Sequence, residues 1–147
     1  MGELMTATHN FGTAPIRAAT TADTFKAALY LTSATVNAAT TAYSSTNEVT
    51  GTGYTAGGVT VTNATAPIAT NSSATAGVAY WTPSASITYT TVTLSTAFDC
   101  VLIYNSSQSD KAVSVHTFGS QTITAGTFTL TMPANTTAAA LIRLATT

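Results

Sequence analysis

Cys100-Val101-Leu102-Ile103-Tyr104 (CVLIY) is a continuous apolar run with the length of a β-strand. A strand with one wet face would show a polar residue at every second position, so this run predicts a central strand that is covered on both faces. The small and polar residues 105–111 follow it, and we expect them to form a hairpin loop. The loop then leads into a strand at Ala112–Phe118.

Further strand-like segments lie on both sides of this hairpin. In Phe25–Leu31 apolar residues stand at every second position, which predicts a half-buried strand. The other predicted strands are bounded by turn residues: a short one around Tyr43–Val49, then Val59–Thr65, Val78–Thr82, Ile87–Ser95, Gln121–Ala125, Thr127–Met132 and Ala138–Leu144. Many short strands at regular spacing predict an all-β fold, a two-sheet antiparallel β-sandwich of immunoglobulin-like or jelly-roll type.

The 147 residues fit one domain with a short extension. Residues 1–24 show neither strand nor helix periodicity and contain Pro15, so they predict an extended N-terminal arm. The predicted β-sandwich domain is 25–147.

Composition points to the same class. Threonine makes up nearly a quarter of the chain, and only 6% of residues are charged, against about 25% in an ordinary soluble domain. The β-branched threonine side chain suits a pleated strand, and its hydroxyl hydrates an exposed face without charge. The 45% hydrophobic content and near-zero net charge favour a folded domain over disorder.

The scarcity of charge also limits the partners. Lysine and arginine occur only at Arg17, Lys26, Lys111 and Arg143, so no basic patch is available for a run of phosphates or an anionic bilayer. No apolar stretch approaches the ~20 residues of a membrane helix, and residues 1–12 lack the blocks of a signal peptide. We therefore expect neither nucleic acid nor membrane as a partner, and a chain made in the cytoplasm.

Asn47–Val59 (NEVTGTGYTAGGV) holds four of the nine glycines: Gly51, Gly53, Gly57 and Gly58. Gly51, Gly53 and Ala56 fit the loosest form of the dinucleotide fingerprint G-x-G-x-x-G/A. A genuine fingerprint opens a helix and precedes an acidic residue by about 20 positions. Here the period-two pattern of Val59–Thr62 follows, and no acidic residue lies at that distance. We interpret the four glycines as structural turn residues and expect no nucleotide or other cofactor.

Residues with catalytic or metal-binding potential are few. One cysteine, Cys100, and two histidines, His9 and His116, cannot supply a structural zinc site, and the acidic residues are too scattered for a calcium loop. Cys100 and His116 fall in adjacent predicted strands, where a nucleophile and a base could meet. A lone cysteine at the start of an apolar strand is more often inert core. We predict no catalytic residue, no metal and no enzyme activity.

Tyr80 and Trp81 are the best candidates for a ligand or partner platform, because sugar rings stack on exposed aromatic side chains. The two side chains point to opposite faces of a strand, so core packing is favoured for at least one of them. A carbohydrate-binding module that uses Trp81 or a tyrosine is the alternative function from a different class.

An ordered set of short motifs runs through the chain: Asp23–Tyr30, Ala42-Tyr43, Asn47–Gly58, Leu102–Ser107, Lys111–Val113, Phe118-Gly119, Gly126–Thr129, Pro133–Asn135 and Leu141–Arg143. This set resembles a family of small tailed-bacteriophage proteins that are encoded among virion genes. The likeness covers Asp23–Leu144, and the tyrosine-and-glycine stretch is its most specific part. Residues 1–22 lie outside it.

The resemblance implies a non-enzymatic virion structural protein, first of all a capsid decoration or cement protein on the capsid surface. Its implied partners are the phage major capsid protein or other virion proteins, and it implies no catalytic residues. A tail, neck or fibre component is the alternative within the same class. The composition agrees, since soluble monomers guard their sheet edges with charge and this chain has little. We expect a homo-oligomer whose surface meets other protein.

Overall fold

The computed structural model describes residues 23–62, 68–72 and 75–145. Seven strands lie in this part of the chain: β1 (Phe25–Leu31), β2 (Val59–Val61), β3 (Ile68–Ser72), β4 (Thr75–Trp81), β5 (Ile87–Asn105), β6 (Lys111–Leu130) and β7 (Ile142–Ala145). All paired strands are antiparallel. The described residues contain no helix, hence none that is long and apolar enough to cross a membrane. The predicted all-β antiparallel class is confirmed.

The strands form two sheets, one of four strands in the order β2-β1-β5-β6 and one of three in the order β3-β4-β7. In the larger sheet β5 lies between β1 and β6, as the CVLIY run predicts for a central strand. Residues 100–105 are all buried. Val101 and Ile103 belong to one hydrophobic cluster, which we call the first cluster. Cys100, Leu102 and Tyr104 belong to another, which we call the second cluster. The alternation shows that both faces of β5 are covered.

The same two clusters correct the expectation for β1. We predicted a half-buried strand, but Ala28 is 0% exposed and Tyr30 is 1% exposed, like the residues on the other face. Ala28 and Tyr30 belong to the second cluster, against which Ala34, Val36 and Tyr43 pack. The segment between β1 and β2 therefore covers this face, and it does so without forming a strand of its own.

β5 and β6 are much longer than the strands that the sequence predicts. They form one hairpin through the predicted loop, with turns at residues 106–110, so the hairpin expectation is confirmed. The breaks that we expected within both strands are instead register shifts, for example between Leu94 and Phe98. A β-bulge bends a strand without ending it. The polar residues that we interpreted as loops therefore lie within β5 and β6, at these register shifts. A separate difference is β3, which the sequence did not predict.

The smaller sheet contributes Trp81 to the first cluster. The distance between the ring centroids of Trp81 and Phe25, which lies on β1, is 6.1 Å. After Trp81 the chain stays close to the larger sheet, since Ser84 N donates to the Thr62 carbonyl oxygen just beyond β2 (3.1 Å). Thr82 Oγ1 accepts a hydrogen bond from Leu141 N (2.9 Å), which brings the chain into β7.

Of the predicted N-terminal arm, only Asp23 and Thr24 fall within the described residues. Ser106 N donates to the Thr24 carbonyl oxygen (2.9 Å). Asn105 Nδ2 and Gln108 Nε2 each donate to a carboxylate oxygen of Asp23, at 2.7 and 3.2 Å. These two residues are therefore attached to the β5–β6 hairpin loop.

Candidate functional site

A buried carboxylate lies beneath the glycine-rich stretch. Glu48 is only 6% exposed. Its Oε1 accepts hydrogen bonds from the Tyr54 hydroxyl (2.7 Å) and from Gly57 N (2.7 Å), and its Oε2 accepts one from the Tyr43 hydroxyl (2.6 Å). Hydrogen bonds of this kind offset the cost of removing a charge from water. Glu48 thus holds segments that lie before and after it in the sequence.

The sheet positions Glu48 through β1. Beyond β2, the outer edge of β1 is paired by the residues around Glu48: Val49 N donates to the Leu29 carbonyl oxygen (2.9 Å), and Tyr30 forms an isolated bridge with Glu48. The Tyr54 hydroxyl also accepts a hydrogen bond from Leu29 N (3.0 Å). This hydroxyl therefore links the loop, the carboxylate and the strand.

Three more tyrosines surround this centre and bond to main-chain oxygens. The Tyr104 hydroxyl donates to the Gly57 carbonyl (2.9 Å), the Tyr89 hydroxyl to the Ala27 carbonyl (2.8 Å) and the Tyr30 hydroxyl to the Ser44 carbonyl (2.6 Å). The rings also stack in pairs. Tyr43 lies on Tyr104 at 4.6 Å, and Tyr54 lies on Tyr89 at 5.9 Å, between centroids. We call these five tyrosines and Glu48 the tyrosine–glutamate cluster.

The four predicted turn glycines lie around this cluster. Positive φ angles occur at Gly53 (78°), Gly57 (87°) and Gly58 (73°). At Gly58 a Cβ atom would overlap the Ala27 carbonyl oxygen of β1, so neither the backbone angle nor the space suits a side chain. Gly51 has no positive φ, but a Cβ there would overlap the Thr93 carbonyl oxygen of β5. The glycines let the loop backbone lie directly against two strands.

The environment keeps the tyrosine hydroxyls protonated. Burial, as the largest cause, raises the pKa of Tyr30 to about 12, and it raises the pKa of Tyr104 to about 12. The pKa of Tyr54 is raised further by burial and by its hydrogen bond to Glu48. Burial and the Glu48 charge raise the pKa of Tyr89 in the same direction. The hydroxyls act as donors, and their protons are committed to bonds within the protein.

This arrangement has a structural use. A general base must accept a proton from a substrate within hydrogen-bonding reach. Both oxygens of Glu48 are already occupied by donors of the protein itself. The cluster closes the loop onto the sheet, and we assign it no catalytic step.

Cys100 and His116 lie on neighbouring strands but on opposite faces of the sheet. His116 is directly opposite Val101, and Cys100 is directly opposite Thr117. The side chains of Val101 and Cys100 alternate between the two faces of β5. Burial raises the pKa of the Cys100 thiol and lowers that of His116. The His116 ring instead bonds to Ser114 Oγ through Nε2 (2.9 Å).

The two candidate platform residues differ in exposure. Trp81 is 2% exposed and belongs to the first cluster, so its ring offers no face for a sugar in this structure. Tyr80 is half-buried. Among residues 23–62, 68–72 and 75–145, no three His, Cys, Asp or Glu side chains come close enough to hold a metal ion.

Comparison with known proteins adds no relative. No protein-family model matches the sequence, and no curated protein and no solved structure is significantly similar to it.

Sequence reasoning missed Glu48. Its signal is weak but readable: it is the only acidic residue between Asp23 and Asp99, and tyrosines and glycines flank it closely. A lone acidic residue in a nearly uncharged stretch suggests a buried carboxylate with dedicated donors.

Proposed function

We propose that this chain is a non-enzymatic structural protein of a tailed-bacteriophage virion, namely a capsid decoration or cement protein that binds neighbouring capsid subunits. The observation that carries the proposal is the distribution of charge. In the described part of the chain only Arg143 is largely exposed among the charged side chains. Asp23 and Glu48 are buried, and the remaining four are only partly exposed: Lys26, Asp99, Asp110 and Lys111. The cores of protein–protein interfaces are depleted in charge in the same way.

The exposed side chains suit a repeated neutral contact. Threonines dominate the exposed positions of β5 and β6, for example Thr88, Thr90, Thr122 and Thr124. Short threonine, serine and alanine side chains lose little rotamer freedom when an interface forms. Many copies can therefore bind with a small entropic cost per contact. The ordered motifs that resemble the phage virion family support the same proposal.

We also propose that the two sheets form a β-sandwich, of immunoglobulin-like or jelly-roll type. The support is that Trp81, from the smaller sheet, lies in one cluster with Phe25, Val101 and Ile103 from the larger sheet. Aligned sheets share a core in this manner.

A tail, neck or fibre component has the same surface chemistry and is the alternative. The two roles differ in copy number, because a capsid surface has far more equivalent positions than a tail or a neck ring. No buried or exposed residue of the described chain distinguishes them.

Purified virions stripped of the protein test the proposal. We expect stripped particles to lose resistance to heat or osmotic shock, and added protein to restore it. As a matched control, Cys100→Ser and His116→Ala proteins should restore resistance as well as the parent does. Absence of the protein from intact particles, or stripped particles as resistant as complete ones, would contradict the proposal. If the parent protein converted a substrate and either variant lost that activity, the non-enzymatic assignment would be overturned.

A further inference from the structure

β6 is the outermost strand of the four-stranded sheet, and most of its outer edge is open. Only its start is covered, where Ala112 N donates to the Thr41 carbonyl oxygen (2.9 Å) and Tyr43 N donates to the Asp110 carbonyl oxygen (2.9 Å). Beyond Ala112, no described segment pairs with the outer side of the strand. The open edge therefore runs from Val113 to Leu130.

This edge lacks the usual protection against other strands. Natural edge strands are short, or carry charges or proline, because their free N–H and C=O groups can pair with another chain. The sequence of Val113–Leu130, VSVHTFGSQTITAGTFTL, contains no Asp, Glu, Lys, Arg or Pro. Register shifts against β5 twist the edge. Its outward main-chain N–H and C=O groups can still pair with another strand.

The side chains of the open edge would also gain from a neighbour. Phe118, Ile123 and Phe128 pack against the first cluster and are only partly buried. Phe118 and Phe128 contact each other with 5.3 Å between ring centroids, and both contact the fully buried Phe98. A strand added beside β6 would cover the remaining surface of these rings.

The sequence of the edge is symmetric about Ile123 at three of the six pairs of positions between Thr117 and Thr129. Thr117–Thr129 reads TFGSQTITAGTFT. When two copies of this segment run antiparallel about Ile123, Thr122 lies opposite Thr124, Phe118 opposite Phe128 and Thr117 opposite Thr129. Threonine pairs and aromatic pairs in these positions are favourable in antiparallel sheets.

We propose that β6 pairs with β6 of a second copy of this chain, antiparallel and about a two-fold axis at Ile123. A two-fold axis requires a self-complementary surface, and the matched threonine and phenylalanine positions of the segment favour one. Charge favours the same occupant: an uncharged strand meets its own copy without like-charge contacts, and a net charge of −1 per chain causes little repulsion.

One existing hydrogen bond has to be replaced. Gln121 Nε2 donates to the Gly119 carbonyl oxygen (3.1 Å) at the exposed surface. A main-chain donor of the partner strand can take its place at small cost, because both groups are otherwise hydrated. The inference concerns the isolated protein, so it can fail while the virion role stands, and the reverse.

The test uses the full chain and two charged variants, Thr122→Lys/Thr124→Lys and Thr122→Glu/Thr124→Glu. Both threonines are exposed, so the changes should leave the fold intact, which thermal unfolding checks. In sedimentation experiments we expect the parent at twice the 14.9 kDa chain mass. Each variant alone should dimerise at least about a hundredfold more weakly, because like charges meet across the axis. An equimolar mixture of the two variants should form the dimer again.

Thr88→Lys/Thr90→Lys is the matched control. These threonines are also exposed, but they lie on β5, which pairs with the inner side of β6, so this variant should dimerise like the parent. A parent that stays monomeric up to ~1 mM would overturn the proposal. So would charged variants that associate as tightly as the parent, or a mixture that remains monomeric.

Discussion

At the scale of single residues, the carboxylate of Glu48 determines the path of the loop around it. Its hydrogen-bond donors are Tyr43, Tyr54 and Gly57, and they come from both sides of it in the sequence. Removing the acceptor leaves these donors without a partner. One of them, the Tyr54 hydroxyl, lies against β1, where it accepts a hydrogen bond from Leu29 N. A buried donor without an acceptor costs about 1–3 kcal/mol.

We therefore expect Glu48→Ala to lower the free energy of unfolding by about 3 kcal/mol or more. Glu48→Gln should cost roughly half as much, because one oxygen acceptor remains. Urea unfolding measures both. Asp99→Asn removes a partly exposed charge and is the control, with an expected change within about 0.5 kcal/mol. Equal stability of Glu48→Ala and the parent would show that the loop does not depend on this carboxylate.

Gly58 gives a second residue-scale prediction. Its φ of 73° and the close Ala27 carbonyl oxygen leave no room for a side chain. Gly58→Ala should cost at least about 2 kcal/mol, which lowers the melting temperature of a domain of this size by roughly 6 °C or more. Gly119→Ala is the control, because nothing lies within 4 Å of its Cβ position.

Thermal unfolding with and without nucleotide completes the experiment at Gly58. We expect no response to nucleotide in the parent or in either variant. Stabilisation of the parent by nucleotide would restore the phosphate-loop interpretation of Asn47–Val59, and a Gly58→Ala protein as stable as the parent would refute the steric argument.

At the scale of elements, the tyrosine–glutamate cluster joins β1 and β5 to the loops above them, and it makes the fold sensitive to alkaline pH. The pKa of Tyr30 and that of Tyr104 are raised to about 12, from about 10 in an unfolded chain. The folded state therefore favours the protonated hydroxyls. This contribution to stability is complete below pH 10 and is lost as the pH rises from about 10 to 12.

We expect the free energy of unfolding to fall across that window, together with the appearance of tyrosinate absorbance. Tyr30→Phe, which has no hydroxyl to ionise, should show a shallower fall. A parent whose stability is constant between about pH 10 and 12 would contradict the assigned environment of these hydroxyls.

The contact between the two sheets gives a second prediction at this scale. Trp81 is 2% exposed and packs against Phe25, so Trp81→Ala should cost about 3–5 kcal/mol. Its half-exposed neighbour Tyr80 is the control, and Tyr80→Ala should cost less than about 1 kcal/mol. Thermal unfolding and glycan-array binding should be measured together. Glycan binding that is lost in a stably folded Trp81→Ala protein would favour the carbohydrate-binding alternative.

The same elements show which features of the fold could be predicted from the sequence. A continuous apolar run has only one good place in an antiparallel sheet, so the central position of Cys100–Tyr104 was predictable. The length of β5 was not, because a β-bulge and a loop draw on similar small and polar residues. The cover of β1 by residues 32–47 depends on contacts between irregular segments, and irregular segments have no periodicity to detect.

The candidate site also has features that could be predicted from the sequence and features that could not. The strand pattern after Gly58, with no helix to bind a phosphate, predicted that the four glycines are structural turn residues. The role of Glu48 depends on where Tyr43, Tyr54 and Gly57 lie in space, and spacing along the chain does not determine that. The tyrosines were visible as aromatic residues, but their shared hydrogen bonds with one carboxylate were not.

At the scale of the whole molecule, the described residues present many neutral side chains and the long open edge of β6. We propose that the molecule works as a many-copy part of a phage particle.

A density map of intact virions, with the copies per particle counted by quantitative protein analysis, tests that claim most directly. We expect density for this β fold on the outer surface of the head, at hundreds of copies per particle, as the many equivalent positions of a closed shell require. About a dozen copies or fewer at the tail or neck would contradict the capsid assignment. Particles that contain none of the protein would rule out any role as a structural part of the virion.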